Sequence, residues 1–137
     1  MPTKQEMFNR AYIGLARQGF VKCEQTEPVY NGSKCLYRKE MADGTVCRCA
    51  FGHVDTSLDQ QAGDVYSLAT SGVGLAATLS QEELFFAYQL QRAHDSSTGP
   101  GDMKQKLETL RVLTGLYFPY EAHEAIEESG VASPPIL

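Results

Sequence analysis

The stretch SKCLYRKEMADGTVCRCAFGHV, from Ser33 to Val54, decides the fold. At its middle, Asp43-Gly44 supplies the residue types that tolerate positive φ in a hairpin turn. That predicts a strand over Lys34 to Lys39 and a partner strand over Thr45 to Phe51. Three of the four cysteines, Cys35, Cys47 and Cys49, fall inside this hairpin, with Cys23 just ahead of it.

Outward from the hairpin the pattern turns helical. Thr3 and Glu6 have capping-box spacing, Met7, Phe8, Ala11, Tyr12 and Leu15 form one stripe, and Gly19 suits a left-handed cap. These residues predict a helix over 4–18. Phe20 to Cys23 reads as a short strand, and Pro28, Asn31 and Gly32 read as turn punctuation. From His53 to Leu79 the chain reads as loop with one short helix. Gly63, Gly72 and Gly74 lack both the Lys-Ser/Thr ending of a P-loop and a dinucleotide fingerprint, so flexible backbone is the expected role. Ser80 and Glu83 open a second helix, running to about Asp95. Ser96 to Gly101 breaks it, Asp102 is expected to cap a third helix, and Met103, Leu107, Leu110, Val112 and Leu113 are its expected buried face. Phe118-Pro119-Tyr120 starts a last short helix, through about Glu128.

The expected architecture is therefore α+β: a small antiparallel hairpin packed against an N-terminal helix and a C-terminal helical pair. A chain of 137 residues suits one globular domain, expected over 1–130 with a flexible tail at 131–137. The net charge of −5 disfavours a general grip on phosphate backbones and suits either solubility or a basic partner. The opening residues lack the apolar run of a signal peptide, and no stretch is long and apolar enough to span a bilayer. A cytoplasmic setting without membrane partners is expected, with the cysteines as thiols or metal ligands rather than disulfides.

Candidate chemistry centres on a few residue sets. Cys35, Cys47, Cys49 and His53 match the tetrahedral thiolate and imidazole preference of zinc, the one cofactor the sequence offers. Cys47 and Cys49, two apart on a strand, would face one way. A Cys-x-Cys pair is a weak zinc signature, however, and small buried hydrophobes are the favoured reading. A cysteine nucleophile with His53 or His94 as base is a further option, disfavoured for want of geometry. His94-Asp95, with His53 and Asp102, has in outline the metal set of helical phosphohydrolases; a helix-end role for His94 is simpler. Tyr117, Phe118 and Tyr120 are read first as core, with an exposed anchor as the alternative. In that alternative Tyr117 and Tyr120, with Glu121 and Glu124 of the acidic last helix, bind a partner.

Three pieces occur together in order: Cys35-Leu36-Tyr37-Arg38, Cys47 through His53, and Leu90-Gln91-Arg92-Ala93-His94-Asp95. Their order resembles a group of small uncharacterised proteins of bacteriophages and prophages. The resemblance covers roughly residues 5 to 116, excluding the glycine-rich insert between His53 and Ser80. It implies a non-enzymatic accessory protein that binds and modulates a host protein, with an anti-defence, anti-CRISPR-like inhibitor as one form. The alternatives are a small zinc-binding domain and a small metal-dependent hydrolase using His94 and Asp95.

Overall fold

The computed structural model describes residues 2–22, 37–40, 42–58 and 64–129. Helix α1 (Lys4–Arg17) opens with the expected capping box, Thr3 Oγ1 accepting from Glu6 N–H and the Glu6 carboxylate accepting from Thr3 N–H. It closes in a Schellman motif: Gly19, at φ +76°, donates to Ala16 O, and Phe20 N–H donates to Leu15 O at 2.8 Å. Phe20 is drawn into this closure at φ +54°, its ring buried edge-on against Tyr12. The strand expected from Phe20 is therefore not formed over residues 20–22; Cys23 lies outside the described residues.

The hairpin joins β1 (Arg38–Glu40) to β2 (Val46–Arg48), with Arg38 opposite Arg48, Lys39 opposite Cys47 and Glu40 opposite Val46. At the turn Gly44 adopts φ +89° and Asp43 Oδ1 accepts from both Thr45 N–H and Thr45 Oγ1. Residues 34–36 of the first expected strand lie outside the described set. The second strand is shorter than expected, because the chain leaves the sheet after Arg48 and turns into helix α2 (Ala50–Val54), with Cys49 as its N-cap. Ala50, Phe51, Gly52 and Val54 are all buried, so helix suits them better than an edge strand with one face in water. Gly52 is obligatory there: a Cβ would lie 2.1 Å from the carbonyl oxygen of Tyr37.

The middle segment contains helix α3 (Val65–Thr70), N-capped by Asp64, and a 3-10 turn at Leu75–Thr78. Asp55 organises it, accepting from Ser57 N–H and hydroxyl on one oxygen and from Leu75 N–H, at 2.8 Å, on the other. Gly74, at φ +59°, lets this contact form, since a Cβ would lie 2.4 Å from the Asp55 carboxylate. The described glycines here thus serve defined turns rather than loose backbone.

Helix α4 (Gln81–Asp95) carries the second capping box as expected. Helix α5 (Pro100–Leu113) begins two residues before the expected Asp102 cap, with Pro100 in the first turn where no N–H is needed. Its buried face is Met103, Lys104, Leu107 and Leu110, with the Lys104 ammonium held 3.1 Å from Glu108. Val112 and Leu113 fall off that stripe and are exposed, against expectation, because their angular positions lie away from the Met103–Leu107–Leu110 line. Helix α6 (Glu121–Ser129) lies on α1 through the small buried side chains of Ala122 and Ala125.

The fold is α+β, and α1 is its hub, contacting α2, α4, α5 and α6 while burying Met7, Phe8, Ala11, Tyr12, Leu15 and Ala16. One hydrophobic cluster takes in residues from Met7 to Ala125. The α2 turn, rather than the hairpin, fills the space against α1 and α4.

Gly52→Ala is expected to cost about 3 kcal/mol in urea unfolding, as an overpacking clash with immobile backbone. Gly101→Ala, where a Cβ meets nothing within 4 Å, should be neutral or slightly stabilising. Equal midpoints for the two variants would show that the Tyr37 contact is not made.

Candidate functional site: a buried polar cluster and an aromatic, acidic edge

The last turn of α1 reaches the hairpin through one side chain. Gln18 Oε1 accepts from Arg48 N–H at 3.2 Å and Gln18 Nε2 donates to Arg48 O at 2.6 Å, so a side-chain amide pairs with β2 as another strand would. These two bonds fix which end of the amide is oxygen. His53 Nε2 therefore donates to Gln18 Oε1, at 2.9 Å, and its Nδ1 carries the lone pair. The imidazole lies against Gly14, where a Cβ would come within 2.2 Å of Nδ1.

A second chain of bonds begins at α2. Cys49 gives that helix no side-chain cap, and Gln91 of α4 supplies one, its Oε1 accepting from Phe51 N–H at 2.9 Å. Gln91 Nε2 donates to Asp95 Oδ1 at 2.8 Å, and the same oxygen accepts from His94 Nδ1 at 2.8 Å. His94 is completely buried, and among the described residues its Nε2 has no hydrogen-bond partner. The pair has the make-up of an oriented general base, but a base must come within hydrogen-bond reach of the proton it takes. Closed off from solvent, this imidazole bonds within α4 to Asp95, and it is Gln91 that ties α4 to the α2 turn.

The residues singled out in the sequence do not all meet. Cys47 is disulfide-bonded, which departs from the expectation of thiols throughout. Its sulfur offers no thiolate in this state. Cys49 has left the strand, so it does not share a sheet face with Cys47, and its thiol is buried in the core. His53 is engaged by Gln18, and Cys35 lies outside the described residues. Among the described residues no three His, Cys, Asp or Glu side chains are grouped as metal ligands. Asp102 sits apart from His94-Asp95, accepting from Thr98 N–H and paired with Lys106.

The other surface is the segment leading into α6. Phe118 packs edge-on against Tyr12, whereas Tyr117 and Tyr120 are each 81% exposed, which corrects the expectation that all three rings plug the core. The backbone decides this. Gln5 of α1 holds Tyr117 by both groups, Oε1 accepting from its N–H at 2.8 Å and Nε2 donating to its O at 2.9 Å. The chain is thereby turned so that Phe118 points inward and Tyr117 outward. Glu121 and Glu124 are exposed beside them on α6.

No family model matches the chain, and no curated protein or solved structure matches it. Among the described residues no helix is long and apolar enough to cross a membrane. Sequence reading passed over Gln5 and Gln18 and met Gln91 only as part of a motif, although these three residues join the parts. A glutamine carries no local signal of its partner, and each of these partners lies at least 30 residues away.

Burial pushes the His53 pKa down to about 4, with the Arg48 guanidinium and His94 adding to the effect. Well above pH 6.5 neither state of this group is charged. As pH falls from about 6.5 to about 4, the unfolded chain takes up a proton that the folded state refuses, so about 3 kcal/mol of stability is lost. His53→Gln should remove that slope in urea titrations across the window. An unchanged slope would show that His53 is not the group responsible.

Proposed function

We propose that the chain is a non-enzymatic, phage-type accessory protein that binds and modulates a host protein, in the manner of an anti-defence, anti-CRISPR-like inhibitor. The observation that carries this reading is the pair of tyrosines, each 81% exposed, on a backbone clamped by Gln5. Large exposed rings held on fixed backbone give contact area at low entropic cost, which is how binding anchors are built. The shared motif residues support the same division of labour. Tyr37, Gly52, Gln91 and Asp95 are taken up by internal packing and hydrogen bonding, which leaves recognition to the surface.

The phage setting comes from the motif resemblance and names a bacterial host as the place to look. Tagged protein passed through bacterial lysates should retain one partner in stoichiometric amount, and Tyr117→Ala with Tyr120→Ala should release it while leaving the thermal melt unchanged. Retention of no partner by the native chain, or of the same partner by the double variant, would overturn the reading.

A further inference from the structure

The edge from Tyr117 to Glu127 has a chemical character that specifies its occupant. Ala122 and Ala125 turn one side of α6 onto α1, and Glu121, Glu124 and Glu127 are exposed on the rest of the helix. Acidic residues in the first turn suit the helix dipole, so Glu121 and Glu124 could serve α6 alone. Glu127 does not fit that explanation. It stands in the last turn, against the negative end of the dipole, in a turn with no basic residue. None of the three carboxylates forms an ion pair among the described residues. The nearest Lys or Arg in sequence, Arg111, is engaged elsewhere, donating to Leu116 O at 2.9 Å and lying over the Phe118 ring, and His123 of the same helix packs against the Phe118 and Tyr120 rings. Unpaired carboxylates on a helix that directly follows two exposed tyrosines offer groups complementary to guanidinium, which stacks on rings and pairs with carboxylates at once.

We propose that this edge takes a basic, arginine-rich segment of a partner protein, with arginines stacked on Tyr117 and Tyr120 and paired to Glu121, Glu124 and Glu127. This deepens the binding reading above and rests on it. Lysine, a compact charge without a planar face, is the weaker fit.

The probe is a short fluorescein-labelled arginine–serine peptide, titrated with the full chain and followed by anisotropy, beside lysine–serine and glutamate–serine peptides of the same length. The arginine peptide should bind most tightly and the glutamate peptide not at all. Tyr117→Ala with Tyr120→Ala should weaken it about tenfold. Glu124→Gln with Glu127→Gln should weaken it about tenfold and flatten its salt dependence. Glu40→Gln with Glu82→Gln, an equal loss of charge elsewhere on the surface, should change it less than about twofold. Equal weakening by the two glutamate pairs would reduce the effect to net charge and overturn the assignment. If the arginine peptide fails to bind while lysate capture still yields a partner, the basic-partner assignment falls and the binding function stands. If the peptide binds at this edge but no lysate yields a partner, the edge chemistry stands and the host-directed function falls.

Discussion

Side-chain amides reaching across the fold to distant backbone are the interaction on which the rest of this structure depends. Two strands of three residues and a helix of five are too short to hold themselves together. A helix that short leaves most of its N–H groups without internal partners. Gln18 gives β2 a partner on the side away from β1, and Gln91 gives α2 the cap that Cys49 withholds. Gln5 performs the same service for the backbone of Tyr117. Two of the three clamps come from opposite ends of α1, so the hub helix fixes both the interior turn and the outer edge.

These clamps account for the residues that mark the scaffold. Gly52 allows the Tyr37 carbonyl to approach, Gly14 makes room for the His53 ring, and Asp95 orients both Gln91 and His94. Within this cysteine-rich, histidine-containing stretch, Arg48, Phe51, Gly52 and His53 serve as joints of the fold. The interior is accordingly committed to these joints, while Tyr117, Tyr120, Glu121, Glu124 and Glu127 are left exposed on the Tyr117–Glu127 edge.

What the sequence revealed follows the range of the forces involved. Both capping boxes and the Gly19 closure were legible because their partners lie within a few residues of one another. The hairpin turn was legible at Asp43-Gly44 for the same reason. Cys49 to Phe51 continued the alternation of a strand, and the partner that makes the turn into α2 favourable, Gln91, is 40 residues downstream. Val112 and Leu113 extended an apolar run that helical geometry then rotated away from the core. The outward turn of Tyr117 hung on Gln5, 112 residues earlier, and no local pattern could have announced it.

The most direct test is native-state hydrogen exchange at the backbone amides of Arg48, Phe51 and Tyr117. All three should be protected in the native chain, Tyr117 included despite its exposed ring. Gln18→Ala, Gln91→Ala and Gln5→Ala should each abolish protection at its own target while the α1 interior stays slow. Free exchange at these amides in the native chain, or protection that survives removal of the facing glutamine, would contradict the dependence of the fold on these clamps.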